Sequence, residues 1–230
     1  MKSTKILNAI CGLVILAASF VPAAVQASDC GTGEKCIFVF GNSITRHAPM
    51  KALGWFGDWG MAATTAEDDF VSQLAQLLTE RSKGVKWKAD ALSGSTLEKS
   101  PADYVLPATV QQLAQKADIV VVELGDNYNP AAPGAEAFAD GYTRTLKGLR
   151  PSNGKLLCVS TWWTSKPKDS IIAASCKAAG GTFVDISGLQ AIRSNVAGNQ
   201  RTIADKGVAA HPSDKGMRAI AERIAQAIPN

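Results

Sequence analysis

A serine that could act as a nucleophile follows an apolar run near the start of the chain. The run Cys36-Ile37-Phe38-Val39-Phe40 leads directly into Gly41-Asn42-Ser43-Ile44-Thr45. β-Branched and aromatic residues in a short run predict a buried strand, and the glycine allows a sharp turn at its end. Because ligands of open α/β sheets bind at the carboxyl ends of the strands, Ser43 is well placed to be a nucleophile. Alone, the pattern is weak, because Gly-x-Ser is common in turns.

A nucleophilic serine needs a base, since its hydroxyl is almost wholly protonated near neutral pH. The chain contains two histidines, His47 and His211. His211 precedes Pro212 on a loop before the last predicted helix, where its imidazole can face Ser43. Taken alone, such a histidine is more often a surface residue before a helix cap, but the presence of Ser43 favours a general base.

Two further blocks after predicted strands offer hydrogen-bond donors for a negatively charged intermediate. Gly125-Asp126-Asn127 follows the most apolar run of the chain, and Ser93-Gly94-Ser95-Thr96 follows another. A tetrahedral oxyanion needs fixed donors, which the Asn127 amide and the backbone N–H groups of Gly94 and Ser43 can supply. Each block alone is ordinary turn chemistry. Together, the ends of neighbouring parallel strands converge on one crevice.

Tryptophans near these blocks indicate a carbohydrate substrate. Trp162 and Trp163 follow the fourth predicted strand, and Trp55 and Trp59 lie in the loop after the serine block. Aromatic faces stack on the C–H faces of sugar rings, although for each tryptophan singly a core position is equally expected. His47, four residues after the serine, is a candidate substrate contact if a helix begins there, and a solvent-facing position on that helix is at least as well supported.

Apolar runs alternate with helical periodicity along the chain, and this alternation predicts what positions the blocks. We expect strands over 36–40, 85–92, 119–124, 155–160 and 182–186, and helices over 68–81, 108–116, 135–149, 170–179 and 213–228. Such regular alternation implies a parallel sheet covered on both faces. The sequence therefore predicts one three-layer α/β/α domain.

Residues 1–27 have the layout of a cleavable secretory signal, with a basic start, an apolar stretch over 6–20 and a small-residue end at Ala27. A membrane anchor is the competing interpretation, but it needs ~20 uninterrupted apolar residues, and Asn8 and the Pro22 region shorten this run. Cleavage leaves residues 28–230 as a single domain without a stable membrane anchor, which we expect in the periplasm or outside the cell.

The remaining chain is close to neutral, with 22 Lys and Arg against 20 Asp and Glu once the two signal lysines are left out. A nucleic-acid partner is therefore not expected, because the basic stripe of such proteins is missing. We expect a small-molecule or glycan ester as the substrate. The oligomeric state stays open.

Four cysteines follow the signal segment and predict two disulfides: Cys30, Cys36, Cys158 and Cys176. Of the three connectivities, the local pairing Cys30–Cys36 with Cys158–Cys176 is favoured. A zinc site is the competing interpretation, but there is no C-x-x-C pair and histidines are few. No metal or other cofactor is predicted.

Taken together, the four blocks resemble those of the SGNH hydrolase superfamily, also called GDSL-type esterases. Gly41-Asn42-Ser43 resembles the nucleophile block, Ser93-Gly94-Ser95-Thr96 the glycine block, Gly125-Asp126-Asn127 the Gly-x-Asn block and His211-Pro212 the histidine block. The resemblance implies a flavodoxin-like five-stranded parallel sheet and a serine esterase or acyl-transfer site. It assigns Ser43 as nucleophile, His211 as base, and Ser43, Gly94 and Asn127 as oxyanion donors.

The chain departs from the family pattern at two positions. Tyr128 follows the Gly-x-Asn block where aspartate is usual, and Val208 stands three residues before His211, where the family has the acid that orients the histidine. A backbone carbonyl near Val208 or the displaced carboxylate of Asp205 could orient the imidazole instead. We favour the carbonyl, because Asp205 lies six residues away. Asp214 is expected to serve the first turn of the last helix.

These features predict an exported serine esterase that removes an O-acyl group, in the first place acetyl, from a carbohydrate. An O-acyltransferase acting on an exopolysaccharide or cell-wall glycan would use the same site. A non-catalytic glycan-binding protein on this scaffold is the alternative of another class. Val208 favours that alternative, whereas the joint presence of Ser43, Gly94, Asn127 and His211 argues against it.

Overall fold

The sheet is the frame of the molecule, which we describe from a computed structural model covering residues 30–129 and 134–229. Its strands are β1 (Lys35–Gly41), β2 (Trp87–Ser93), β3 (Ile119–Glu123), β4 (Lys155–Val159) and β5 (Thr182–Val184). All neighbours pair in parallel in the order β2-β1-β3-β4-β5, the flavodoxin-like order. The predicted fold class is confirmed. The predicted signal segment, residues 1–27, lies outside the described residues.

Helices cover both faces of this sheet. They are α1 (Phe70–Arg81), α2 (Ser95–Lys99), α3 (Ala108–Lys116), α4 (Ala135–Leu149), α5 (Lys166–Ala178), α6 (Lys206–Ala209) and α7 (Asp214–Gln226). The short helices α2 and α6 stand where the sequence predicts loops. Ser213 caps α7, and its hydroxyl accepts a hydrogen bond from the Gly216 N–H at 3.2 Å. In the described part of the chain, no helix is long and apolar enough to span a bilayer.

Two apolar cores lie on opposite faces of the sheet because successive strand residues alternate in direction. Val39 and Val121 belong to the core that packs beneath α1 and α7. Phe40 and Val122 belong to the core that packs beneath α3, α4 and α5. Burying each such side chain contributes ~1.5–3 kcal/mol. The central strands are therefore held firmly, and so are the turns at their carboxyl ends.

Both disulfides have the predicted local pairing. Cys30 is bonded to Cys36, with Cα atoms 5.9 Å apart, and Cys158 to Cys176, with Cα atoms 6.0 Å apart. The second bond joins β4 to α5 and is completely buried. It ties the strand to the helix that follows the Trp162–Trp163 loop.

Removing the buried disulfide by Cys158→Ala/Cys176→Ala is expected to lower the free energy of unfolding by ~3 kcal/mol, because the bond spans 18 residues of the chain. Cys30→Ala/Cys36→Ala is the matched control, and its separation of 6 residues predicts a loss of ~2 kcal/mol. Urea denaturation of both variants measures the difference. A larger loss from the Cys30–Cys36 pair would contradict this ranking.

Candidate active site

The predicted nucleophile lies in a tight turn directly after β1. The Asn42 N–H donates to the Glu123 carbonyl at 3.1 Å, and the Asn42 side-chain oxygen accepts the Ile44 N–H at 2.9 Å. A Cβ at position 41 would lie 2.8 Å from the Glu123 carbonyl oxygen, so this position requires glycine. The turn therefore presents Ser43 at the carboxyl end of the central strands.

Ser43 and His211 are in direct contact. The Ser43 Oγ lies 2.8 Å from His211 Nε2, and His211 Nδ1 lies 2.8 Å from the Gly207 carbonyl oxygen. A carbonyl can only accept, so the neutral imidazole carries its proton on Nδ1 and leaves Nε2 free to accept the serine proton. This is the arrangement that a general base requires.

The electrostatic surroundings of His211 keep the imidazole neutral. Burial lowers the pKa of His211 below its ordinary value of 6.5, and the hydrogen bond to the Gly207 carbonyl offsets part of that shift. A small repulsion from His47 acts in the same direction as burial. At neutral pH the ring can therefore accept a proton.

The carbonyl that accepts from His211 Nδ1 belongs to Gly207 in the short helix α6. Two features hold this helix in place: a side-chain cap at its start and the burial of Val208. The Asp205 carboxylate caps this helix by accepting the Val208 N–H at 2.8 Å. The Val208 side chain is buried in an apolar cluster with Trp55, Met61, Ala62 and Ala197. The position of the family's acid is thus occupied by a core residue. The geometry agrees with an orienting carbonyl, and Asp205 is a helix cap.

Two of the three predicted oxyanion donors remain available in this geometry. The exposed Asn127 follows β3, and its Nδ2 donates one hydrogen to Glu98 Oε2 at 2.9 Å. An amide nitrogen carries two hydrogens, so the second stays free for a ligand. Within the described residues, the Ser43 N–H donates to no other group.

The prediction that Gly94 supplies a third donor is wrong in this geometry. Its N–H donates to the Gly41 carbonyl at 2.7 Å, which continues the ladder between β1 and β2. A backbone N–H has a single hydrogen, so it has none left for an oxyanion. The glycine is needed for space instead, because a Cβ here would lie 2.4 Å from the Phe40 ring.

The two neighbouring tryptophans after β4 have different positions. Trp162 is 1% exposed and packs in the core, with its Nε1–H donating to the Ala210 carbonyl at 3.2 Å. The prediction that Trp162 contacts substrate is therefore wrong, since its ring is enclosed by protein. Trp163 is partly buried and meets the His211 ring edge-on, with ring centroids 5.3 Å apart. It lies beside the candidate base.

His47 does not lie on a helix, so the helical placement considered in the sequence analysis does not apply. Its backbone pairs with Trp59 in an isolated antiparallel bridge, and its Nδ1 lies 2.7 Å from the Ala48 carbonyl oxygen. The side chain is partly exposed. Its role as a substrate contact stays a prediction.

Three buried carboxyl groups beneath the site were not singled out by the sequence analysis: Glu98, Glu123 and Asp126. Glu98 accepts the Gly125 N–H at 2.6 Å and the Asn127 N–H at 3.0 Å, in addition to the Asn127 side chain. Glu123 accepts the Thr45 hydroxyl at 3.0 Å. Glu123 is the one charged residue in the apolar run 119–124, and this is the only sign of the three carboxyl groups in the sequence.

Burial raises the pKa of Glu98, and hydrogen bonds from Asn127 and Gly125 oppose that rise. Burial and the neighbouring carboxylates of Asp126 and Glu98 hold the pKa of Glu123 well above its ordinary range. Among residues 30–129 and 134–229, no group of three or more His, Cys, Asp and Glu side chains is arranged to hold a metal ion.

Several esterases of known structure share this architecture. A two-domain esterase active on acetylated mannans, co-crystallised with mannopentaose, is similar over 85% of this chain and 50% of its own, with a TM-score of 0.57 and 15% identity. A candidate GDSL-like lipase from Bacteroides uniformis is similar over 85% and 96%, with a TM-score of 0.52 and 14% identity.

The psychrotrophic esterase EstA from Pseudoalteromonas sp., inhibited by monoethylphosphonate, is similar over 84% of this chain and 96% of its own, with a TM-score of 0.51 and 14% identity. No protein-family model matches the sequence, and no curated protein matches it. At these identities the likeness establishes the fold, which is the α/β fold of the GDSL and SGNH hydrolases.

Asp205→Asn is expected to leave kcat within about twofold of wild type, because asparagine caps a helix as well as aspartate does. The Gly207 carbonyl, which holds the imidazole, is untouched. Steady-state hydrolysis of an activated acetyl ester measures the effect, and thermal melting checks that the cap is kept. A loss near ~10⁴-fold with unchanged stability would show instead that the Asp205 carboxylate orients His211.

Proposed function

Starting from a chain with the fold of SGNH hydrolases, we propose that the protein is an exported serine esterase that removes an O-acyl group, in the first place acetyl, from a carbohydrate. The observation that carries the proposal is the 2.8 Å contact between Ser43 Oγ and His211 Nε2. The opposite ring nitrogen of His211 is held by a carbonyl, and the pair lies at the carboxyl ends of the central strands.

The first half of the reaction forms an acyl-enzyme. His211 Nε2 takes the hydroxyl proton as Ser43 Oγ attacks the ester carbonyl carbon. The carbonyl oxygen becomes an oxyanion, which accepts hydrogen bonds from the Ser43 N–H and the Asn127 side chain. The tetrahedral intermediate then expels the sugar oxygen, which receives the proton from His211 and leaves as an alcohol.

The second half returns the serine. A water molecule gives a proton to His211 Nε2 and attacks the acyl carbon, and a second oxyanion forms at the same donors. Its collapse breaks the bond to Ser43 Oγ, which takes back the proton from the imidazole. The products are a free carboxylic acid and the unmodified enzyme.

The Gly207 carbonyl takes the place of a triad carboxylate in this scheme. It fixes the tautomer of His211 and its partial negative charge stabilises the imidazolium, although less than a full carboxylate charge would. The reaction then needs only the Ser43 and His211 side chains and the two oxyanion donors, the Ser43 N–H and the Asn127 amide. We therefore propose a Ser–His dyad.

A carbohydrate substrate is supported by the aromatic side chains around the site. Trp163 flanks His211. A cleft of about 510 Å³, which Val208 of α6 also lines, contains Trp55, Phe56, Trp59 and Arg201. Such surfaces suit the C–H faces of sugars with a polar group beside them. One esterase of the same fold is active on acetylated mannans, which supports this substrate class.

Export is proposed from two features. The first 27 residues have the composition of a secretory signal. Two disulfides close the domain, and such bonds persist in oxidising compartments such as the periplasm.

Hydrolysis of an activated acetyl ester and of an acetylated polysaccharide by the mature protein tests the function. Ser43→Ala is expected to abolish both activities, and Asn127→Ala to lower kcat by ~10²–10³-fold, the typical result of losing one oxyanion donor. The exposed Asn153→Ala is the matched control and is expected to leave both rates unchanged. Binding of the glycan without any hydrolysis would contradict the proposal and favour a non-catalytic binding protein.

A further inference from the structure

The Asp126 carboxylate connects the segments that follow β1 and β4, two strands that are not neighbours in the sheet. Its Oδ2 accepts the Asn42 side-chain N–H at 3.4 Å and the Trp162 N–H at 3.2 Å, and its Oδ1 accepts the Trp163 N–H at 3.0 Å. Asn42 belongs to the turn after β1, and the two tryptophans belong to the loop after β4. Asp126, on the loop after β3, thus connects the turn after β1 with the loop after β4.

Each of these contacts leads on to one member of the Ser43–His211 pair. Asn42 shapes the turn that presents Ser43 by accepting the Ile44 N–H. Trp162 holds the residue before His211 through its Nε1–H and the Ala210 carbonyl, and the Trp163 ring packs against the imidazole itself. Asp126 is therefore one residue away from both partners of the proposed proton transfer.

We propose that Asp126 is a positioning residue which takes over, through Asn42, Trp162 and Trp163, the orienting work of the acid that is absent at position 208. This inference rests on the proposed function, because it assigns a residue to the Ser–His dyad. It does not make Asp126 a proton acceptor for the imidazole, since His211 Nδ1 is already bonded to the Gly207 carbonyl.

The chemistry of the contacts explains why a carboxylate stands here. Asn42, Trp162 and Trp163 each donate an N–H to Asp126, and the Glu123 carboxyl group is a further hydrogen-bond partner. An ionised carboxylate is the one side chain with two oxygens that only accept. Asparagine has the same shape but would turn an NH₂ group towards at least one of these donors. Burial raises the pKa of Asp126, and the hydrogen bonds from Trp163, Trp162 and Asn42 oppose that rise. The Lys168 ammonium, which donates to the Asp126 backbone carbonyl at 2.8 Å, places a positive charge nearby.

The tautomer of His211 distinguishes a residue that positions the imidazole from one that only stabilises the fold. In the wild type we expect nearly all neutral His211 in the form protonated at Nδ1, because a carbonyl faces Nδ1 and a hydroxyl faces Nε2. The ¹⁵N chemical shifts of the two ring nitrogens report this directly. With two histidines in the chain, His47→Gln assigns the signals.

Asp126→Asn is expected to give a mixture of the two His211 tautomers and to lower kcat by ~10²-fold with KM little changed, as a small misplacement of a reacting group does. Asp185→Asn is the matched control. Asp185 also follows a strand and accepts a backbone N–H, from Ser187 at 2.8 Å, but none of its hydrogen bonds leads to His211. It should leave the tautomer and kcat unchanged.

A folded Asp126→Asn protein with an unchanged Nδ1-protonated His211 and unchanged kcat would overturn the proposal. If Asp126→Asn does not fold, Trp162→Phe tests the same path, because it removes the indole N–H that holds the Ala210 carbonyl and keeps a smaller aromatic ring in the core. If folded Trp162→Phe keeps the wild-type tautomer of His211, the proposal for Asp126 is overturned. The tautomer is measured without substrate, so this outcome is independent of whether the protein proves to be an esterase.

Discussion

The hydrogen bond between His211 Nδ1 and the Gly207 carbonyl is the contact on which the site depends. It fixes the imidazole proton on Nδ1 and leaves Nε2 to accept from Ser43. A carbonyl brings no net charge to this task, so orientation has to come from the rigidity of its surroundings. That rigidity is provided by the Asp205 cap of α6, by the burial of Val208 and by the tryptophan loop after β4. The absence of an acid at position 208 is therefore a change in how the base is held.

The same site places three carboxyl groups behind the proposed oxyanion donors. The turns at the ends of β3 and β4 leave backbone N–H groups that need acceptors, and Glu98 and Asp126 supply them. Full charges on all three groups would oppose an oxyanion at Ser43 and Asn127. The raised pKa of Glu123, which contacts Thr45 and Asn42, works against a third negative charge at this place.

Much of this could be predicted from the sequence because it depends on local pattern. The apolar runs of β1 and β3 are buried on both faces, so their composition alone identifies them. The pairing of Ser43 with His211 was predicted from their places at strand and helix ends, and the local disulfide pairing from short separations. The helices α2 and α6 were missed, because four or five residues are too few to show a helical period.

The predictions for Gly94 and Trp162 were wrong because tertiary contacts determine the roles of these residues. Gly94 donates to Gly41 because of the register between β1 and β2, which no local pattern reveals. Trp162 and Trp163 are adjacent and identical in type, and only the packing of α6 against the loop decides that the first is core and the second lies beside His211. The sequence indicated a carbonyl near Val208 but could not identify Gly207, since that depends on the short helix α6.

Covalent labelling of the mature protein with a serine-directed phosphonate tests most directly whether Ser43 is a nucleophile activated by His211. The reagent forms a bond to an activated serine oxygen and mimics the tetrahedral intermediate. The account predicts one adduct per protein, located by peptide mapping on Ser43, and much slower labelling of the folded His211→Ala variant. Labelling of another residue, or no labelling of a folded sample that hydrolyses esters, would contradict it.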